Sequence, residues 1–367
     1  MSVSQTLLQS EPGNVIVSPI SVYCILAQTQ QGARGQIQTL LRTTLRADAE
    51  KTRNECQNFI HSIIYRGEEN FTVEADNGIF LRNGCDVLPN FETCMTDYFM
   101  TEFIYIDFTT VEEAKEAVNT YVIKNNKQNI TQLISVDETE NRSAILAVLS
   151  AFYFEANWSN TFVPIKIKSE EFRPGPDLVY NVPTMFYEQT HMAGTSTELG
   201  AKWVHLNMQV TTFTMLLVLP IIKYGLKDVI QRLTPEILTE LFSEKNEHLV
   251  RLSLPKFKIQ KETDLIPVLK NLGLQHIFED NADFSGIISE LIANTSFSQN
   301  MKMDVDERGI SVLTDKGSTK CQPAPKRSQR EKQNAIDFTA DHPFLVFIVD
   351  RINSVPVFAG RVTKPRE

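Results

Sequence analysis

The sequence predicts a mixed α+β fold, and three observations predict it. Helix start and stop signals crowd the first third of the chain, and strand-length apolar runs crowd the part after residue 202. Further apolar runs lie in the first half, with no Pro/Gly/Ser-rich linker between the two regions. A length of 367 residues would by itself suggest about two domains. Because strands come from both halves, one domain over residues 1–367 is the expectation.

Taken in order, Ser18 is placed to cap a helix that starts at Pro19, where a missing N–H costs nothing, and Ile20, Val22, Ile25 and Leu26 follow at helical spacing. Gly32-Ala33-Arg34-Gly35 interrupts the pattern before Ile37, Leu40 and Leu41 resume an apolar stripe, which predicts a second helix. Over residues 111–126, Val111, Ala114, Val118, Tyr121 and Val122 share one face, with Glu112, Glu113, Lys115 and Glu116 elsewhere, as in an amphipathic helix. Residues 144–154 are almost continuously apolar, so a central strand covered on both faces is expected there. Residues 211–219 read as another buried strand. Thr234 then caps, and Pro235 opens, a helix carrying Ile237, Leu238, Leu241 and Phe242. Val250, Leu252 and Leu254 alternate with Arg251 and Ser253 as in a half-buried strand, and Phe257 and Ile259 continue the alternation after Pro255. Apolar runs over 344–349 and 355–362 close the chain as a hairpin. Residues 315–335 break this order: they hold no aromatic, two prolines and clustered charge, and read as a long exposed loop of the kind that is usually functional.

Composition narrows the function. With 42% apolar and 22% charged residues the chain can bury a large core. Its 36 basic and 45 acidic residues give a net charge of −9, which repels a polyphosphate, so nucleic acid is not an expected partner. No stretch approaches the roughly 20 apolar residues of a membrane span, and Pro220 stops the run over 215–219, so no membrane partner is expected. The start, MSVSQTLLQS, lacks the basic, apolar and small-residue regions of a secretory signal, which was either removed or never present. Five Asn-X-Ser/Thr triplets, at Asn70, Asn129, Asn141, Asn157 and Asn294, suit an exported glycoprotein and lean the expectation towards an extracellular protein.

Cys24, Cys56, Cys85, Cys94 and Cys321 form an odd set without metal-ligand spacing, which indicates neither a zinc site nor a full disulfide framework. Cys321 lies in the polar segment as a candidate exposed thiol, while Cys24 sits among apolar residues and reads as core. No Gly-X-Ser-X-Gly elbow, phosphate loop or His-Glu-X-X-His motif occurs. His205, in an apolar stretch, reads as a core histidine rather than a catalytic base. No enzyme activity, metal or cofactor is expected.

Five groups of residues then carry a resemblance: Asn14-Val15-Ile16-Val17-Ser18-Pro19-Ile20-Ser21; Ser150-Ala151-Phe152-Tyr153-Phe154 followed by Trp158; Leu254-Pro255-Lys256-Phe257-Lys258-Ile259; Leu272-Gly273-Leu274 with Ala282-Asp283-Phe284-Ser285-Gly286-Ile287; and Phe338-Thr339-Ala340-Asp341-His342-Pro343-Phe344-Leu345 with Gly360-Arg361-Val362 and Pro365. In order and spacing they resemble the serpin family over nearly the whole chain, the last group most diagnostically, with a first helix that looks shortened. The resemblance implies three β-sheets, about eight or nine helices and an exposed reactive-centre loop over about 309–338 in a metastable fold. It also implies a serine protease inhibitor: the target cleaves the loop, forms an acyl-enzyme on its own serine, and is trapped as the loop inserts as a new strand in the main sheet.

On this resemblance the hinge is Glu307-Arg308-Gly309. Insertion requires the side chains that follow to alternate between faces, with Ile310, Val312, Thr314, Lys316 and Ser318 on one and Ser311, Leu313, Asp315, Gly317 and Thr319 on the other. Ile310, Val312 and Thr314 suit a buried face, whereas burying the unpaired Lys316 ammonium would cost roughly several kcal/mol. Bulky Ile310 and Leu313, with charged Asp315 and Lys316, depart from the small residues of inhibitory members. A non-inhibitory serpin, acting as a binding protein or as a protease substrate, therefore stays open beside the inhibitor.

The loop is longer than is usual in the family, so counts from its two ends disagree: one puts cleavage near Pro323-Ala324, the other near Lys332-Gln333. A trypsin-like protease needs a Lys or Arg to meet its pocket aspartate, which favours Arg327-Ser328, with Lys332-Gln333 and Arg330-Glu331 as alternatives. The plain reading of the same cluster is a solvated, flexible loop. In the sheet-opening region, near Ser18 and Ser21, Gln299 stands where serpins commonly carry a histidine, and its amide can keep a hydrogen bond there. Lys51 and Arg53 lie on the helix that binds glycosaminoglycan in some relatives, but Glu50 and Glu55 lie beside them, and no glycosaminoglycan site is predicted. The expected partner is a trypsin-like serine protease, met by a monomer.

Overall fold

A computed structural model gives the structure, which describes residues 2–64, 71–106, 116, 120, 146–159, 167–209, 212–279, 281–288, 295–311 and 335–365. The chain begins with α1 (Ser2–Ser10), which the apolar pattern does not reveal, and β1 (Val15–Val17). Helix α2 (Pro19–Gly32) starts where its signals lie: Ser18 is extended (φ −100°, ψ 104°) and its hydroxyl accepts from the Ser21 N–H, a cap worth about 1 kcal/mol. At its other end a Cβ on Gly32 would meet Ile287 Cγ1 at 2.1 Å, so only glycine lets the helix approach that segment. Then come α3 (Gly35–Leu45), ended by a left-handed Arg46, α4 (Ala49–Ile64) and α5 (Pro89–Phe99). Of the helix predicted over 111–126, Glu116 and Thr120 are described and helical; the rest lies outside the described residues. Helices α6 (Leu226–Arg232), α7 (Pro235–Ser243) and α8 (Ile266–Leu269) complete eight among the described residues, α7 being capped by Thr234 as its sequence predicts.

The strands form three sheets. One has the order β10 (Phe257–Asp264), β11 (Thr295–Val305), β12 (Gly309–Ser311), β4 (Leu146–Asn157), β2 (Phe71–Arg82) and β3 (Thr101–Ile106). A second runs β1, β15 (Val355–Val362), β14 (Phe344–Asp350), β8 (Phe213–Pro220), β7 (Ala201–Asn207) and the last residues of β6 (Leu178–Ser196). The earlier part of β6 pairs with β5 (Ile167–Gly175) and β9 (Glu247–Pro255), and β13 (Ile336–Thr339) adds to β9, making the third. The predicted central strand is β4, flanked on both sides, and the predicted C-terminal hairpin is β14–β15.

The first two sheets pack face to face. Phe154 of β4 meets Phe213 of β8 and Phe358 of β15 edge-on, with centroids 5.3 and 6.0 Å apart, and Phe257 of β10 meets Phe344 of β14 at 5.6 Å. Every residue of β8 and β14 is buried, because helices cover the far face of their sheet; α6 packs on β8 and α1 packs on α6. His205 of β7 is 1% exposed, its Nε2 2.8 Å from the Leu241 carbonyl oxygen, and burial pushes its pKa down to about 4 although that bond opposes the shift. It is the core histidine the sequence predicts.

The loop expected over 309–338 is shorter at both ends than that reading. Gly309–Ser311 is strand β12 inside a sheet, because Ile310 finds an apolar slot there, and Ile336–Thr339 is β13, paired with β9 because Phe338 is buried beneath it. Residues 312–334 lie outside the described residues.

Candidate functional site

The site is the line along which β11 and β4 meet. At one end they pair directly and in parallel, Thr295 with Leu146 through Ser298 with Leu149. At the other they are parted by β12, which is antiparallel to both: Ile310 lies opposite Val305 on one side and Ala156 on the other, Gly309 opposite Asn157, and Ser311 opposite Asp304. The spacing along the chain that separates Val305 from Ala156 also separates Thr295 from Leu146, so the two strands keep one register whether they touch or are held apart. A strand advancing from β12 would therefore meet matching backbone groups on both sides without a slip.

A turn delivers the chain into this line. Asp306 N–H donates to the Gly309 carbonyl at 3.1 Å, and Asp306 Oδ1 accepts from the N–H groups of Arg308 (2.7 Å) and Gly309 (3.3 Å). The Arg308 guanidinium grips Asp306 Oδ2 through Nε at 3.0 Å and Nη2 at 2.8 Å. Buried Trp158 holds the turn down, its Nε1 donating to the Asp306 carbonyl at 2.8 Å and its N–H to the Arg308 carbonyl at 3.0 Å. Glu307 is ion-paired with Lys256. A Cβ on Gly309 would lie 2.2 Å from the Ala156 carbonyl oxygen, so this glycine is required by close approach of β4. Nearby, burial pushes the Asp304 carboxyl up against the pull of Lys258, and burial together with Lys258 pushes the Lys302 ammonium down.

Where the parted and paired lengths meet stands Gln299, 1% exposed. Its Oε1 accepts from the Ser18 N–H at 2.8 Å and its Nε2 donates to the Ser18 carbonyl at 3.2 Å, tying β11 to the start of α2. Ser21 is not a partner of Gln299; its N–H donates to Ser18 Oγ at 3.3 Å. On the far side of the loop β13 is held at one edge of the third sheet. Arg251 pairs with Asp337 at 3.4 Å and with Glu188 at 3.5 Å, and Lys202 Nζ donates to the Asp337 carbonyl at 2.9 Å. Just beyond, burial alone would push the Asp341 carboxyl up, but His342 and Lys223 (2.7 Å) outweigh it and hold the pKa at about 2.

Of the residues the sequence singles out, Glu307, Gly309, Ile310, Ser18 and Gln299 come together here. Val312, Thr314, Asp315, Lys316, Cys321, Arg327, Ser328, Arg330, Glu331, Lys332 and Gln333 lie outside the described residues, as do Asn70, Asn129, Asn141 and Asn294. Asn157 is the half-buried last residue of β4, its carbonyl accepting from Gln209 N–H at 2.8 Å. Lys51 pairs with Glu55 at 3.8 Å and the Arg53 guanidinium lies 4.4 Å from the Tyr98 ring centre. Sequence reasoning missed Asp306, although an Asp three residues before a required Gly is a turn signal, and it missed Lys256, whose contact depends on tertiary packing alone.

The sheet is thus parted by one strand at one end and closed at the other, with the segment after the Asp306–Gly309 turn lying in the parting. The family profile described as "Serpin (serine protease inhibitor)" matches residues 1–365, and the chain belongs to that family. It is 28% identical over 366 residues to the alpha-1-antitrypsin-like protein GS55-MS of Ictidomys tridecemlineatus, covering 97% of this chain and 84% of the relative. Among solved structures it is similar to Serpin48, described as a highly specific serpin in the insect Tenebrio molitor (TM-score 0.84, 26% identity, 99% of this chain and 95% of that one). Human thyroxine-binding globulin in complex with thyroxine shares the fold (TM-score 0.86, 22% identity, 100% of this chain and 96% of that one).

Proposed function

We propose that this protein is a serpin-type inhibitor of serine proteases, with the segment after Ser311 as bait. The observation that carries the reading is the single register kept by β11 and β4 on both sides of β12. The protease serine attacks the carbonyl of the bait's scissile bond, the amine of the next residue leaves with the C-terminal part, and the acyl-enzyme remains on the severed segment. That segment advances between β11 and β4 and carries the protease with it before water can hydrolyse the ester. Continuing the register of β12 sets Val312 opposite Met303 and Phe154, both buried, and Thr314 opposite Met301, also buried. We assign cleavage to Arg327-Ser328, with Lys332-Gln333 and Arg330-Glu331 next, and so a trypsin-like target. A secreted, glycosylated, monomeric single domain belongs to the same proposal.

A second reading is favoured by one residue. The same register sets Lys316 opposite buried Gln299, whose amide oxygen already accepts from Ser18 and could offer an arriving ammonium its remaining lone pair but no opposite charge. A chain that stalls there is cut as a substrate, and the protein's role is then binding, as the name of thyroxine-binding globulin says of that relative.

Incubation with trypsin followed by denaturing electrophoresis separates the readings. An inhibitor gives a complex that survives SDS and a cleaved form that melts higher; a substrate gives only a cut chain. Gly309→Val, which cannot seat β12, should abolish the complex, and Lys316→Thr should increase its yield. A cleaved wild type with neither complex nor thermal gain sinks the inhibitor.

A further inference from the structure

Cys24 of α2 and Cys56 of α4 are buried in one core cluster, at 5% and 0% exposure. Their helices lie against each other, and three hydrogen bonds fix the pairing: Tyr23 Oη donates to Glu55 Oε2, Thr52 Oγ1 to Gln30 Oε1 at 2.7 Å, and Gln31 Nε2 to the Ala49 carbonyl at 2.8 Å. As residue number rises along α2, that of the partner falls along α4, so the helices run antiparallel. Cys24 follows Tyr23 and Cys56 follows Glu55, so the two cysteines, both free thiols in this structure, take facing positions in the register that these hydrogen bonds set. The neighbouring Cys24 side chain, and then burial, push the Cys56 thiol far up, so it is a poor nucleophile once folded.

We propose that Cys24 and Cys56 close a disulfide between α2 and α4 when the chain folds in oxidising surroundings. The oxidant is a small disulfide of the glutathione class. One cysteine thiolate attacks it and releases one glutathione thiol; the second attacks the mixed disulfide, forming the Cys24–Cys56 bond and releasing another. The chain loses two hydrogens and two glutathione thiols are produced from each oxidised glutathione. The exchange belongs to the folding chain, since burial later shields both sulfurs. The bond would enclose the whole of α3 and fasten α2, the helix whose start Gln299 holds, onto α4.

The test is to refold the full chain from denaturant in a glutathione redox buffer and, in parallel, in dithiothreitol. Each sample is then denatured, alkylated with iodoacetamide and analysed by intact and peptide mass spectrometry. From the redox buffer we expect three of the five cysteines alkylated, one cross-linked peptide joining Cys24 to Cys56, and a melting temperature about 5 °C above that of the reduced protein. Cys24→Ser should remove the peptide and leave Cys56 alkylated, whereas Cys85→Ser should leave the cross-link in place. Alkylation of all five cysteines after folding in that buffer, or a bridge from Cys24 or Cys56 to any other cysteine, overturns the proposal.

Discussion

The sheet that runs from β1 to β7 is paired without a break, whereas the sheet from β10 to β3 is joined across its middle over only part of its length. In the first, the hairpin pairs β7–β8 and β14–β15 are joined to each other through β14 and β8, and both of these strands are buried along their entire lengths. The second joins β11 to β4, segments far apart in the chain, as a parallel pair into which β12 is wedged at one end. Unbroken pairing thus lies in one sheet and interrupted pairing in the other, where the proposed insertion would need a region of low local stability.

The largest effect should come from the continuous sheet. Phe347 of β14 is 1% exposed between Leu216 and Ala359, and Phe347→Ala should cost about 3–5 kcal/mol. Urea unfolding should show a lower midpoint with an unchanged slope; a loss under about 1 kcal/mol would break the comparison. Next comes His205, in the same sheet. Its folded pKa of about 4 lies below the ordinary 6.5, so the unfolded chain takes up a proton first as pH falls. The stability it contributes is complete above pH 6.5 and is lost on acidification through the folded value near 4, to a total of about 3 kcal/mol. His205→Phe should flatten that slope in urea midpoints measured across the window, and an unchanged slope would remove His205 as its source.

The continuous sheet was legible in the sequence for a plain reason. Ser18-Pro19 and Thr234-Pro235 fix helix starts locally, and runs such as Leu216-Leu217-Val218 leave a strand few alternatives to burial. The parted sheet was legible in its residues but not in its state. Gly309 reads as a hinge by resemblance, yet nothing nearby in sequence says that Ala156 leaves it no room or that Ile310 is already seated between two strands. The Gln299 amide could be named as a link, but its choice of both backbone groups of Ser18, and not Ser21, is set by how α2 meets β11. Cys24 reads as core, while its closeness to Cys56 depends on how α2 packs on α4, which no spacing rule supplies.

Gln299 is also the sharper probe of the parted sheet. Gln299→Ala leaves the Ser18 N–H and carbonyl buried without this partner, at about 1–3 kcal/mol, less than either change above. Gln299→His should recover part of the loss, because one ring nitrogen can still meet Ser18. If the two variants are equally destabilised in urea, the amide's volume rather than its bonds matters at that position.

The smallest effect concerns the turn itself. The Glu307 and Lys256 side chains are each about a quarter exposed, so their ion pair is worth at most about 1 kcal/mol and is screened by salt. Glu307→Gln should lower the urea midpoint slightly in dilute buffer and leave it unchanged near 1 M salt, where the Debye length is only about 3 Å. The hinge would then be held by Asp306, Trp158 and the fit of Gly309 against β4, which salt does not weaken. A loss above about 2 kcal/mol that persists in high salt would reverse this order and make the charge pair the element that seats β12.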